Sequence, residues 1–172
     1  KILIAYNAPF SPETVIAQDS ARQQLGFAQD ETIVLYAGKL NERNIEFLVR
    51  LAEKLNPDGI KVHVVGGNPK ILEKANDLTE KNGAENIWFH GFQPPAIVPV
   101  YLASANFLFC SYANDQPNIE QATPAKYFDY MQSNRPLFCS RNTAIQEILA
   151  DDINCVYFEP ENAGDLAEKL ID

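Results

Sequence analysis

Residues 32–67, TIVLYAGKLNERNIEFLVRLAEKLNPDGIKVHVVGG, read as a strand, a helix and a second strand in succession. The short runs at 32–38 and 60–67 are mostly apolar, which is typical of strands that are buried on both faces. Between them, apolar residues recur at helical spacing, in a stripe that includes Ile45 and Leu48. Because buried strands joined by a helix normally pair in parallel, this stretch predicts a βαβ unit.

The same alternation continues to the end of the chain. Asn68 and Pro69 suit the N-cap and first position of a helix that follows the second strand. Further strands are predicted in NIWFHG, NFLFCSY, PLFCS and NCVYFEP, and further helices in PPAIVPVYLAS, TPAKYFDYM, NTAIQEILA and ENAGDLAEKLID. Thr143, with Gln146 three positions on, has the spacing of a capping box. The pattern predicts an α/β fold with a doubly wound, Rossmann-like parallel β-sheet.

Length and charge narrow the class of protein. A chain of 172 residues suits one domain, over residues 1–172. The formal net charge of −9 argues against nucleic acid or an acidic membrane surface as a general partner. The chain opens on the strand-like KILIAY without an initiator Met, so we expect a fragment of a longer protein.

Cysteines and histidines show neither metal-binding nor catalytic spacing. Cys110, Cys139 and Cys155 each lie in an apolar, strand-like run, which favours buried thiols in a reducing compartment and a cytoplasmic location. His63 lies inside a predicted strand, where a structural role is favoured. We therefore expect no metal site and no cofactor.

Ligands of doubly wound sheets bind beyond the carboxyl ends of the strands. The loops predicted at that edge are residues 38–44, 66–69, 90–94 and 111–126. In the first, Lys39 and Arg43 lie between a strand end and a helix start, which suits a phosphate or diphosphate. The alternative is a pair of solvated surface charges. Neither G-x-G-x-x-G nor a P-loop is present, which disfavours dinucleotide oxidoreductases and ordinary ATPases.

The next two loops carry glycines and a histidine. Gly66 and Gly67 allow either close approach of the backbone to a ligand or a simple turn from strand to helix. His90 could donate a hydrogen bond to a phosphate or sugar hydroxyl, or be a plain turn residue.

The fourth loop leads into a helix whose first turn contains a cation. Thr123 suits the N-cap and Pro124 the first position, which places Lys126 at the third. A cation there opposes the helix dipole at a cost of ~0.3–1 kcal/mol, unless an anion binds at that helix end. The alternative is an ion pair with Asp129, three residues on. After this helix, Asn134 suits a left-handed C-terminal residue.

Taken in order, these segments resemble the C-terminal, donor-binding half of a GT-B glycosyltransferase. The likeness is to the large retaining group 1, or family 4-like, enzymes and covers nearly the whole chain. IVLYAGKLNERNIEFLVRLAEKL resembles that family's strand, basic loop and helix. TPAKYFDYMQSNRPLFCSRNTAIQEIL resembles its acidic motif region. The ordered set of segments, rather than any one motif, carries the resemblance.

The resemblance implies roles for individual residues. Lys39 and Arg43 would hold the diphosphate of a nucleotide-sugar donor and assist catalysis. Asp129 would bond the ribose, and the backbone of 90–93 would meet the base. The residues implied in donor binding are Gly38, Gly67, His90, Phe92, Glu120, Thr123, Pro124, Lys126 and Asp129.

One position departs from the family's pattern of two glutamates eight positions apart. Asp129 takes the second position, but Gln121 takes the first, with Glu120 beside it. The sequence therefore also allows a non-catalytic nucleotide-sugar-binding or regulatory homologue. An unrelated Rossmann-like enzyme such as a sugar epimerase is disfavoured, because the glycine fingerprint and a Tyr-x-x-x-Lys pair are missing.

The implied reaction is sugar transfer of the hexosyltransferase type, from a nucleoside diphosphate donor to an acceptor hydroxyl. The resemblance implies retained anomeric configuration, no metal requirement and a role in polysaccharide or glycoconjugate biosynthesis. The acceptor would bind mainly to an N-terminal half that this chain lacks. We therefore expect the fragment to be inactive alone, and any peripheral membrane association to depend on that other half.

Overall fold

The computed structural model describes residues 15–112 and 123–172 and shows a six-stranded, all-parallel sheet. The strand order is β3-β2-β1-β4-β5-β6, so the first described strand lies near the centre and later strands are added outward on both sides. The strands are β1 Ile33–Ala37, β2 Lys61–Val65, β3 Ile87–Phe89, β4 Phe107–Cys110, β5 Leu137–Ser140 and β6 Val156–Phe158. The predicted doubly wound, Rossmann-like fold is confirmed.

Helices cover both faces of the sheet. Within the described ranges they are α1 Gln18–Leu25, α2 Glu42–Leu55, α3 Pro69–Asn82, α4 Val98–Ser104, α5 Lys126–Met131, α6 Thr143–Gln146 and α7 Ala163–Ile171, with a short 3-10 turn at Asn56–Asp58. Helix α1 has no counterpart among the sequence predictions. Only Ala21 and Arg22 of this helix are buried, so it lacks an apolar stripe.

Alternate residues of the central strand pack into two separate cores. Val34 and Tyr36 belong to the core beneath α2, α3 and α7. Ile33, Leu35 and Ala37 belong to the core beneath α4, α5 and α6. All five residues of β1 are buried, which explains why its sequence shows no polar face.

Two predicted helix starts are wrong, whereas a third is confirmed. The Asn68 side chain accepts a hydrogen bond from Ile71 N at 3.0 Å and Pro69 opens α3, as predicted. Helix α6 is capped by Asn142, which accepts from the two amides that follow Thr143, so no Thr143 capping box forms. Because the side chain of Asn142 already accepts from these amides, Asn142 is the N-cap and Thr143 is the first helical residue.

Helix α5 also begins later than the sequence predicts. Its first residue is Lys126, and no side chain caps its N-terminus. Thr123 is therefore not the N-cap, and Lys126 is at the first rather than the third position. At the other end, Asn134 has a φ of 54°, which confirms the predicted left-handed residue. The late start brings Lys126 to the edge of the sheet, where the strands end.

Candidate functional site

A cavity of about 830 Å³ opens at the carboxyl edge of the sheet. Its walls come from the loops after β1, β2 and β3 and from α4 and α5. They include Gly38, Lys39, Leu40, Gly66, Gly67, Leu72, Phe92, Gln93, Leu102, Lys126, Asp129 and Tyr130. This size, with apolar walls and a few polar groups, is typical of a small-molecule site.

A second cavity of about 390 Å³ lies beside the first, between the ends of β1 and β4. Its walls include Tyr36, Asn41, Asn44, Ser111, Tyr112 and Pro124. Gly38, Lys39 and Lys126 line both cavities. The strand order reverses between β1 and β4, so the shared boundary lies at the switch point where doubly wound folds bind ligands.

The ammonium of Lys126 lies between two tyrosine rings at that boundary. Lys126 Nζ is 4.4 Å from the ring centroids of both Tyr36 and Tyr112, and it donates to Tyr36 Oη at 3.2 Å. That hydroxyl in turn donates to the carbonyl oxygen of Lys39 at 3.2 Å. Two aromatic faces and a hydroxyl hold the charge at a fixed position.

Lys126 is charged at neutral pH. Burial opposes the ammonium form, but Cys110, Tyr36 and Tyr112 favour it more strongly, so the pKa of Lys126 is raised. No carboxylate in the part of the chain that the structure describes forms an ion pair with Lys126. The alternative pairing of Lys126 with Asp129 is therefore wrong. A cation that lines two cavities, and that has no carboxylate partner among residues 15–112 and 123–172, is suited to an anionic ligand.

The two basic residues of the first loop point in different directions. Lys39 lines both cavities, whereas the guanidinium of Arg43 bonds to the carboxylate of Glu161, just before α7. Arg43 lines neither cavity. Glu161 is 118 residues away in sequence, so no local pattern could reveal this ion pair. The structure thus brings Lys39 together with Lys126 rather than with Arg43.

Asn41 and Asn44, which sequence reasoning missed, fix the loop that carries Lys39. Asn44 N donates to the Asn41 side chain at 2.9 Å, and Asn41 N donates to the Asn44 side chain at 3.3 Å. This is a reciprocal capping box at the start of α2, formed by asparagines. The Asn-x-x-Asn spacing was the available signal. Both side chains also line the smaller cavity.

Gly66 makes the close backbone approach that the glycine pair predicts, but to the protein itself. Its φ is 126°, and a Cβ there would lie 1.9 Å from Gly38 O. Gly66 N also donates to Gly91 O at 2.7 Å. These contacts tie the ends of β1, β2 and β3 together, so the floor of the large cavity is a rigid set of backbone turns.

His90 faces inward. Its Nε2 lies 3.0 Å from Nδ1 of His63, and neither ring lines the two cavities. Burial lowers the pKa of both histidines. The backbone of this loop does reach the site, because Gln93 Nε2 donates to His90 O at 2.8 Å while Gln93 lines the large cavity. Phe92 is 77% exposed and lines the same cavity.

The remaining predicted residues lie around α5 and the segment before it. Asp129 is exposed at the rim of the large cavity, and partial burial raises the pKa of its carboxyl. Pro124 lines the smaller cavity, and Thr123 lines neither. Glu120 and Gln121 lie outside the described residues.

The described residues contain neither a cluster suited to a metal ion nor a helix suited to crossing a membrane. Residues 15–112 and 123–172 contain no group of three His, Cys, Asp or Glu side chains placed to hold a metal ion. In the same ranges, no helix has the length and apolar character needed to cross a membrane.

Residues 31–172 match the family model of the glycosyl transferases group 1. This chain belongs to that family. A comparison by sequence with curated proteins gives no match. The family assignment therefore rests on the match to the family model, and the matched residues include both cavities and every site residue described above.

Several solved structures share the fold of this chain. Sucrose-phosphate synthase from Thermosynechococcus elongatus superposes with a TM-score of 0.75 at 23% identity, over 91% of this chain and 39% of that one. Alr3699/HepE from Anabaena, solved with UDP-glucose, gives a TM-score of 0.71 at 18% identity, over 87% and 40%. The chain thus spans about 40% of the length of these proteins.

A third structure corresponds to one half of such an enzyme. It is the C-terminal domain of a glycosyl transferase group 1 family protein, LpcC, from Francisella tularensis. The TM-score is 0.65 at 17% identity, and the match covers 94% of this chain and 83% of that domain. The fold of this chain is therefore that of the C-terminal half of a GT-B glycosyltransferase.

Proposed function

We propose that this chain binds the nucleotide-sugar donor of a group 1 glycosyltransferase. The observation that carries the proposal is the position of Lys126, whose ammonium borders two adjoining cavities at the switch point of the sheet. Lys39 lines the same boundary. Two lysines between an apolar cavity and a more polar one suit a ligand whose anionic centre joins two different groups, as a nucleoside diphosphate sugar does.

The two cavities fit the two ends of such a donor. The larger one offers Leu72, Phe92 and Gln93 to a base and the carboxylate of Asp129 to a ribose diol. The smaller one offers Asn41, Asn44 and Ser111 to phosphate or sugar oxygens. UDP and UDP-glucose are bound by the similarly folded Anabaena protein, which supports a donor of this class.

In the proposed reaction, the bond between the sugar and the diphosphate breaks and an acceptor hydroxyl takes the sugar with retained configuration. Lys39 and Lys126 would stabilise the negative charge that develops on the leaving diphosphate. No metal is required for that role. The acceptor would come from a second half, because one open face cannot exclude water from the reacting atoms.

Calorimetric titration with UDP and GDP tests donor binding directly. We expect one of them to bind with or without EDTA, because lysines supply the positive charge. Lys126→Ala should weaken binding at least about tenfold, the loss of one charge-assisted contact. Lys81→Ala, at the exposed end of α3, is the matched control and should leave affinity unchanged. If neither nucleotide binds at millimolar concentration, the proposal is wrong.

The second candidate is a nucleotide-sugar-binding homologue without catalysis. Gln121, at the family's first acidic position, favours it. Both candidates bind nucleotide, so turnover must separate them. We expect the full-length protein to release UDP or GDP from a nucleotide sugar, and Gln121→Glu to raise that rate if the glutamine is a lost acid. If the full-length protein and its Gln121→Glu variant both bind the nucleotide sugar but neither releases UDP or GDP, the non-catalytic homologue is favoured.

A further inference from the structure

Strands β1 and β4 separate before either one ends. Their pairing is confined to Val34 with Phe107 and Leu35 with Leu108. On its other side, β1 pairs with β2 along its whole length, up to Ala37 with Val65. The opening that contains the smaller cavity begins where the pairing with β4 stops.

The separation would leave the backbone of Ala37 without hydrogen bonds. Alternate residues of a parallel strand bond to opposite neighbours. Gly38 N donates to Val65 O of β2, whereas Ile33 O accepts from Asn106 N, just before β4. Ala37 has the same orientation as Ile33 and turns its N–H and carbonyl towards β4. Unpaired, these two buried groups would each cost about 1–3 kcal/mol.

The hydroxyl of Tyr130 satisfies both groups at once. Ala37 N donates to Tyr130 Oη at 2.6 Å, and the hydroxyl donates to Ala37 O at 2.9 Å. A phenol can accept and donate in this way because it carries one proton and two lone pairs. Tyr130 is only 1% exposed, and burial raises its pKa, so its hydroxyl stays protonated.

We propose that Tyr130 is a positioning residue of the donor site, because its hydroxyl takes the place of β4 on Ala37 and keeps β1 and β4 apart. The inference rests on the proposed function. Ala37 lies between Tyr36, which holds Lys126, and Gly38, which lines both cavities. Lys126 is one helical turn before Tyr130 on α5. One hydroxyl therefore fixes the strand end, the helix and the lysine relative to one another.

Tyr130→Phe removes this hydroxyl and keeps the ring. Tyr157→Phe is the matched control, because Tyr157 is also buried and its hydroxyl donates to Leu149 O at 2.9 Å, away from the cavities. Both variants should lower the melting temperature, since each leaves buried polar groups unpaired. Stability alone cannot separate positioning from packing.

Amide hydrogen exchange, followed by NMR, separates them without any ligand. In Tyr130→Phe the amide of Ala37 should exchange at least about tenfold faster, beyond the change in global stability, because it loses its acceptor. In Tyr157→Phe the exchange rate of the Ala37 amide should change only as much as the loss of global stability requires. If Ala37 keeps its protection in Tyr130→Phe, the hydroxyl does not hold this strand end and the inference is overturned.

Titration with UDP and GDP completes the test. Tyr130→Phe should lower the affinity for whichever of the two nucleotides the unmodified chain binds by about tenfold, because Lys126 loses its fixed position. Tyr157→Phe should change affinity less than about twofold. Equal affinities in the two variants would overturn the inference while leaving the proposed function standing. Absence of binding by the unmodified chain would count against the proposed function, and the exchange result would still decide the role of the hydroxyl.

Discussion

Gly66 occupies a position with no room for a side chain, on the loop that forms the cavity floor. A Cβ would lie 1.9 Å from the carbonyl oxygen of Gly38, and the φ of 126° is outside the range of other residues. Backbone cannot yield as a flexible side chain can, so Gly66→Ala should lower the free energy of unfolding by about 3 kcal/mol or more. Gly83→Ala is the control, because it also has a positive φ, of 64°, but open space around it.

Gly83→Ala should cost only about 1 kcal/mol, the strain of a left-handed alanine. Urea denaturation of both variants measures the two costs. Similar losses for Gly66→Ala and Gly83→Ala would show that conformational strain alone acts at Gly66, and that the backbone contact with Gly38 is not tight.

The two histidines make stability depend on pH. Burial lowers the pKa of His63 to about 3, and it also lowers that of His90. Nearby positive charge on His90, Lys61 and Arg22 adds to the shift of His63. Since the folded pKa values lie below the unfolded value of about 6.5, the unfolded chain binds more protons at mildly acid pH. The stabilisation is complete above pH 6.5 and is lost as the pH falls towards 3.

We expect the free energy of unfolding to fall between about pH 6.5 and 5 by up to about 1.4 kcal/mol per pH unit for each histidine. The chain contains only these two histidines, and carboxylates protonate mainly below that window. Urea denaturation at several pH values measures the slope. His63→Gln should reduce it, and a variant lacking both histidines should show none. A flat profile for the unmodified chain would contradict the buried, neutral pair.

The buried Arg22 joins helix α1 to the end of α4, to the segment before β1 and to Asn106, just before β4. It donates from Nε to Ser104 O at 2.9 Å, from Nη1 to Gln29 O at 2.6 Å and from Nη2 to Asn106 Oδ1 at 2.7 Å. Arg22→Leu removes these three bonds and should cost about 3 kcal/mol, although Gln18 and Ile33 still donate to Ser104 O and Asn106 Oδ1. Arg50→Leu, which removes an exposed i, i+4 pair with Glu46, should change stability by less than about 0.5 kcal/mol. Thermal denaturation of both variants checks the contrast.

Elements with an apolar pattern that reflects their burial were predictable from the sequence. Elements that depend on contacts with residues far away in the sequence were not. Strand β1 is apolar throughout because both faces are covered, and α2 shows its buried stripe at helical spacing. Helix α1 buries little besides Ala21 and Arg22, and two of the acceptors of Arg22, Ser104 O and Asn106 Oδ1, are more than 80 residues away, so no local pattern marks this helix. The predicted N-cap of α5 was also wrong, because no side chain among the described residues bonds to the amides of its first turn.

At the site, Lys126 was identified from its unfavourable place near a helix start, and its charge does line the cavities. Its surroundings were not predictable, because Tyr36 of β1 and Tyr112 after β4 meet only in the folded sheet. The partners of Arg43 and His90 were not predictable either, since Glu161 and His63 lie on other parts of the fold. Residue type and position are readable in a sequence, but the direction of a side chain depends on such partners.

The whole molecule carries a net charge of −9, yet the proposed ligand is an anion. Binding must therefore depend on a local arrangement of donors at one edge of the sheet rather than on the overall field. The Debye length is about 8 Å in physiological salt. Acidic residues further than this from Lys39 and Lys126 therefore have little effect on an anion bound beside the two lysines. The carboxyl and amino edges of the sheet should therefore respond differently to nucleotide.

Hydrogen exchange with and without a saturating nucleoside diphosphate measures that difference across the chain. The nucleotide should slow exchange in the loops after β1, β2 and β3 and at the start of α5, because these segments line the cavities. The turns at Asn56–Asp58 and 83–86 lead into β2 and β3 at the opposite edge and should exchange as before. In Lys126→Ala at the same nucleotide concentration, the protection factors at the carboxyl edge should fall by about tenfold, in proportion to the weaker binding. Protection at the amino edge, or equally on both edges, would place the nucleotide outside the two cavities and overturn the proposed site.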